Sequence, residues 1–181
     1  MKILILGHAR HAKDTVAEII RKNYGLNFES SSRAAAEIFI FDALKDKYNY
    51  KDIDECFEDR VNHRKEWNNL ICDYNTPNKS RLAEEIMSKN DIYVGMRDDE
   101  EFNKCQEICL FDTVIGVFDP RKELEPKTSF NIDMWKSSDI VIMNNSTLEV
   151  LEQRVKMVFD GIMDFDEFGF VDSANYRRFY K

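Results

Sequence analysis

The chain has 181 residues, 43% of them hydrophobic and 12% aromatic, enough for one domain with a core of its own. A net charge of −8, from 34 acidic and 26 basic residues, disfavours sequence-independent duplex binding, which needs a basic face to displace counterions. No apolar run approaches the roughly 20 residues that span a bilayer, and the opening "MKILIL" is too short for a signal peptide.

Residues 2–6, "KILIL", form the first predicted strand, short and continuously apolar as buried parallel strands are. A helix is predicted over 13–23, with Val16, Ile19 and Ile20 on one face. A weak strand, "NFESS" at 27–31, precedes a helix over 33–47 that turns Ala35, Ile38, Phe39 and Leu44 inward. Helices over 58–75 and 79–89 are split by the breaker "TPN". Then come a strand at 91–95, "DIYVG", a helix over 98–108, and strands at 113–118, "TVIGVF", and 139–143, "DIVIM". A last helix over 147–159 opens with Ser146 and Glu149 in capping-box spacing.

Strands alternating with helices predict an α/β fold: an open parallel sheet of about five strands, flanked by helices. Residues 1–160 make the domain, and a charged helical insert over 50–89 is expected above the carboxyl ends of the strands. The aromatic tail, 161–181, has no clear period and is assigned no packing. Cys56, Cys72, Cys105 and Cys109 form neither a C-x-x-C pair nor a disulfide framework, and read as reduced thiols of a cytoplasmic protein.

The chemistry starts at residues 7–15, "GHARHAKDT", directly after the first strand. A phosphate-binding loop, G-x-x-x-x-G-K-[ST], needs backbone N–H groups turned toward a phosphate, a helix N-terminus behind it, a lysine and a hydroxyl. Gly7, Lys13 and Thr15 are present, Asp14 separates the lysine from the hydroxyl, and Ala12 stands where the second glycine belongs. If position 12 requires positive φ, alanine costs roughly 1–2 kcal/mol there, attenuating the loop without removing its N–H groups. His8 and His11 fall at variable positions, where phosphate contact and incidental placement read alike.

Five blocks, "GHARHAKDTVAEII", "CFEDRVNHRKEW", "YVGMRDDEE", "SFNID" and "DIVIMNNSTLEVL", resemble in this order the bacteriophage deoxynucleoside monophosphate kinases and their P-loop relatives. The similarity covers roughly residues 1–155. It implies ATP and Mg²⁺ as cofactors, with Gly7, His11, Ala12, Lys13, Asp14 and Thr15 around the ATP phosphates and Thr15 or Asp14 toward the metal. The lysine-aspartate-threonine ending belongs to the family pattern, whereas Ala12 departs from its glycine. The resemblance further implies that Lys13 follows the transferring group, that Arg97 looks toward the acceptor phosphate, and that Asn144 and Asn145 border the adenine.

The residues themselves leave alternatives open. Arg97 as a surface arginine would pair with Asp98 or Asp99, and the two asparagines could be turn and capping residues. Within "EDRVNHR", Arg60 and Arg64 share a helix face with His63 beside them, a clamp for the acceptor phosphate, and Asp59 could accept from a sugar or base. Trp67 joins this substrate set, and solvated i,i+4 pairs are the plain alternative. Arg121, with Lys122 and Lys127, lies on "DPRKELEPKTSF", which suits a lid closing positive charge over the transferring phosphoryl group, or a solvated loop.

The reading is phosphoryl transfer from ATP to a deoxynucleoside monophosphate, a small-molecule partner, in the cytoplasm (the host's, if the chain is phage-encoded). Two alternatives stand beside it. One is a kinase acting on 5-hydroxymethyluracil within phage DNA, with nucleic acid as partner and Asp59 as base. The other is a non-catalytic nucleotide-binding protein. Oligomeric state, a homodimer included, is open from sequence.

Overall fold

The computed structural model describes residues 1–168, with side chains through 162. β1 (Ile3–Leu6) is buried along its whole length, and its side chains alternate between two cores. Leu4 and Leu6 enter one cluster and Ile3 and Ile5 the other, as the two-residue period of a central strand demands. The neighbouring parallel strands repeat this division: β3 (Ile92–Val94) pairs Ile3 with Ile92, and β4 (Thr113–Phe118) pairs Ile3 with Thr113. With β2 (Phe28–Ser30) and β5 (Ile140–Met143), the sheet is parallel throughout, ordered β2-β3-β1-β4-β5. All five predicted strands are present.

α1 (Lys13–Tyr24) and α9 (Leu148–Phe168) cover one face, where Val16 and Ile20 meet Leu151, Val155 and Phe159. α9 runs past the predicted domain edge at 160, and its cap is Thr147, whose Oγ accepts from the Val150 N–H, not Ser146. Residues 169–181 of the predicted tail lie outside the described residues.

The second face carries the remaining helices. α2 (Ser31–Ala35), a π-helical turn (Ala36–Ile40) and α3 (Phe41–Tyr48) run on from one another. The wider π turn resets the helical phase, so Ile40 is buried where Ile38 was expected, and Ile38 is 39% exposed. The predicted 58–75 helix is two: α4 (Ile53–Asp59) and α5 (Arg64–Tyr74). Asp59 draws Asn62, Tyr50 and His63 onto its carboxylate and closes a turn at 60–63. α6 (Arg81–Met87) packs on β3, α7 (Asp99–Glu107) is capped by Asp98, and a short α8 (Met134–Ser137) was not foreseen. No described helix is long and apolar enough to cross a membrane.

The strand order reverses direction at β1, between β3 and β4. In open α/β sheets such a switch point leaves a crevice at the carboxyl ends of the strands. Residues 7–15 leave β1 at that place.

Candidate functional site

The turn after β1 has the backbone of an anion cradle. Arg10 and Ala12 are both left-handed, with φ 66° and 76°. Alternating handedness of this kind turns successive N–H groups to one side. A Cβ at Gly7 would lie 2.8 Å from the Val117 carbonyl oxygen, so close approach of β1 to β4 excludes any side chain there. Ala12 immediately precedes α1 and offers no side-chain cap, which leaves the first-turn N–H groups and the helix dipole directed at the turn.

Lys13 lies across the end of β3. Gly95, left-handed at φ 93°, would place a Cβ 3.3 Å from Lys13 Cε, so its bareness gives the lysine stem its path. Sequence reading missed Gly95; a glycine closing an apolar strand was its only mark. Asp14 and Thr15 are exposed on the first turn of α1, and Lys13 Nζ stands 3.5 Å from the Asp14 carboxylate. Their oxygens suit a hard cation that arrives with a phosphate. Among the described residues no group of three or more His, Cys, Asp or Glu side chains is arranged to hold a metal.

Position 12 does demand positive φ, and the alanine methyl also rests against the second core cluster. Ala12→Gly is therefore expected to tighten binding of a non-hydrolysable ATP analogue about two- to ten-fold, part of the ~1–2 kcal/mol left-handed cost. Calorimetric titration checks this. Unchanged or weaker binding would show that alanine sits there without penalty.

His11, expected among the phosphate contacts, is fully buried and faces inward. Its Nδ1 accepts from the Asp119 N–H at 3.0 Å, so Nε2 carries the proton toward the Glu123 carbonyl, 3.3 Å away. His8 accepts the Glu125 N–H at 3.1 Å and lies against the Phe130 ring. Burial, then the charges of His11, Arg97 and Lys13, hold His8 below its usual pKa. Both rings fasten the 119–130 segment to the 7–15 turn through backbone groups.

Arg97 follows β3 and donates to Glu125 Oε1 at 2.6 Å; neither Asp98 nor Asp99 is its partner. Glu125 Oε2 in turn accepts the Ala9 N–H of the phosphate loop at 2.6 Å. Sequence reading passed over Glu125, a lone acid in an aperiodic segment. The loop amide and Arg97 thus converge on one carboxylate, which also feels the charge of Lys13.

Arg121 was expected as a mobile lid charge. Instead its guanidinium forks onto Asp119 at 2.8 and 2.9 Å and reaches the carbonyls of Asn144 and Ser146. Arg121 holds the Asp119 carboxyl down at about 2. The residue ties the end of β4 to the end of β5. Asn144 Nδ2 reaches the same Asp119 at 3.4 Å, while Asn145 accepts from Arg154 at 2.6 Å. Both asparagines stand at the carboxyl end of β5, with their side chains engaged within the protein.

The acceptor-side set is dispersed differently from expectation. Arg60 and Arg64 do not share a helix, because α4 ends at Asp59. Arg60 stacks on the Phe57 ring at 3.7 Å and donates to its carbonyl. Burial lowers its pKa, against the raising charges of Glu58 and Asp14, and the Arg64 charge lowers it further. Asp59 is saturated by Tyr50, Asn62 and His63, and so is poorly placed to serve as a base. The His63 ring also lies tilted against Tyr48, 4.1 Å between centroids, and Trp67 on α5 is buried in the first core cluster. Its indole N–H has no partner among the described residues.

No family model and no curated protein matches the sequence. Among solved structures the chain is similar to dephospho-CoA kinase from Campylobacter jejuni, with TM-score 0.51 and 15% identity over 89% of this chain and 96% of that one. It is also similar to shikimate kinase from Aquifex aeolicus vf5, with TM-score 0.49 and 13% identity over 90% and 98% of the two chains. For a gluconokinase from Sinorhizobium meliloti 1021 the values are 0.48 and 10%, over 92% and 95%. At these identities the likeness concerns the fold, and the first of them carries it. The five-stranded parallel sheet flanked by helices is the P-loop kinase fold.

Proposed function

We propose that this protein transfers the terminal phosphoryl group of ATP to a deoxynucleoside monophosphate. The carrying observation is the 7–15 turn at the sheet's switch point, with two left-handed residues, a side-chain-free Gly7 and Lys13 laid across Gly95. These groups suit a polyphosphate: backbone N–H donors, a helix N-terminus and one ammonium. Mg²⁺ bound with the nucleotide, beside Thr15 and Asp14, would supply further charge neutralisation.

The acceptor side supports a phosphate-bearing substrate. Arg97 and the Ala9 N–H already bind the two oxygens of one carboxylate, so an anion of similar span can bridge the same donors. Arg60 and Arg64 add charge at the break between α4 and α5, and Arg60 feels the charge of Asp14. A phosphate acceptor is ionised before it reacts and needs no base, which agrees with the engagement of Asp59.

The test is ADP release with ATP and Mg²⁺ over the four deoxynucleoside monophosphates, hydroxymethyl-dUMP and a hydroxymethyluracil oligonucleotide. Turnover that depends on a monophosphate is the expected result. Turnover on the oligonucleotide alone would transfer the activity to a DNA acceptor, and none on any acceptor would leave a non-catalytic nucleotide-binding protein.

A further inference from the structure

The contacts of Glu125 have a chemistry of their own. Its carboxylate is 13% exposed and bound at both oxygens, by the Ala9 N–H and by Arg97, each at 2.6 Å. An amide donor and a guanidinium are what a phosphate oxygen takes from this kind of site. Lys13 also adds its charge. We propose that Glu125 is a built-in occupant of the phosphate site, a carboxylate that a phosphate-bearing substrate must displace.

The segment that carries Glu125 is fixed by other means on either side. His11 holds the Glu123 carbonyl, His8 holds the Glu125 N–H, and Phe130 lies 4.5 Å from the His8 ring. Backbone placement is therefore secured by the two histidines, and the Glu125 side chain draws on the anion-binding donors, with the Ser129 carbonyl a longer second acceptor of Arg97 at 3.4 Å. Burial opposes its charge, but Arg97, the Ala9 amide and Lys13 outweigh burial and keep the carboxyl below its usual pKa. The group is an anion at neutral pH. A phosphate and this carboxylate cannot share the site, both because the Ala9 amide has a single N–H and because like charges repel.

The proposal rests on residues 7–15 being a phosphate site and adds a consequence for affinity. A site occupied by its own side chain binds ligand with an affinity reduced by the fraction of time it stands open. Removing the charge of Glu125 raises that fraction. Glu125→Gln keeps the size of the side chain and leaves the histidine contacts in place, and a melting curve confirms its fold.

The experiment is calorimetric titration of the wild-type chain and Glu125→Gln with inorganic pyrophosphate, together with amide hydrogen exchange of residues 122–129 in the wild type. The variant is expected to bind roughly ten-fold tighter, and exchange in 122–129 is expected to quicken when pyrophosphate binds. Wild-type binding with no gain in the variant overturns the proposal alone, and weaker binding in the variant assigns Glu125 to ligand recognition. Slower exchange in 122–129 also overturns it, since the segment would then be closing over the ligand. The exchange result stands without the variant. Absence of binding by both proteins overturns the phosphate-site reading, and this proposal with it.

Discussion

Lys13→Ala is expected to lose on the order of 10³-fold in turnover while its melting temperature stays close to that of the wild type, because the ammonium acts on charge that develops during transfer. The lysine side chain is 12% exposed, and its stem passes Gly95 before the ammonium reaches the loop. Preorganisation of this kind gives the charge its effect in the transition state, where it requires no rearrangement. Its contribution to folding is small by comparison. Its ion pair to Asp14, at 3.5 Å, has an exposed partner and is screened by water. ADP release and thermal melting, measured on the same preparation, separate the two effects. Turnover near the wild-type rate would end the reading of residues 7–15 as a catalytic phosphate loop.

The second large effect is on stability and lies away from the site. Glu101 on α7 is buried beneath the sheet and accepts the Tyr93 hydroxyl at 3.0 Å. Burial, with a smaller contribution from Asp98, pushes its carboxyl up to about 8, and the Tyr93 hydrogen bond offsets part of that. Cys105 nearby is likewise raised, by burial and by the Glu101 charge. The unfolded chain releases the Glu101 proton near pH 4.5, whereas the folded chain keeps it to about pH 8. Between those values the folded state binds the extra proton, so stability falls as pH rises.

Glu101→Gln cannot ionise and can still accept from Tyr93 through its carbonyl. Its stability relative to the wild type is therefore expected to improve from pH 5 to pH 8.5, by on the order of a few kcal/mol. Urea denaturation of both proteins at the two pH values checks this. Comparing the two removes the titration of His8 and the other groups they share. Parallel pH profiles would show that Glu101 ionises at its ordinary pKa within the fold.

Sequence pattern was a good guide where one segment determines its own environment. The strands at 3–6 and 113–118 are apolar on both faces, which central parallel strands require, and the edge strand at 140–143 is continuously apolar too. The proposed phosphate loop could be read from sequence for a similar reason, since Gly7, Lys13 and Thr15 are local to one turn. What escaped notice depends on partners far away in the chain. The break at 60–63 follows from Tyr50, Asn62 and His63 collecting on Asp59, and no apolar period records it. Glu125 becomes informative only when Ala9 and Arg97, 116 and 28 residues away, are seen to hold it. Arg121 misled because charge in an irregular loop resembles a lid until its partners at the β4 and β5 ends are known. The π turn misled in the opposite sense, as one additional residue per turn moved Ile38 out and Ile40 in.

The two histidines of the phosphate loop make that turn a poor module. Residues 7–15 look portable, a short stretch between a strand and a helix. Yet His8 and His11 have their partners 117 and 108 residues away, at Glu125 and Asp119. A graft of the turn into another sheet would carry the buried His11 ring and the half-buried His8 ring with their nitrogens unmatched. Conversely, exchanging the 119–130 segment for a relative's would strand the same rings here. Inheritance or engineering of one piece is thereby coupled to the other, and substitutions at positions 8 and 11 are constrained by backbone groups in the segment that follows β4.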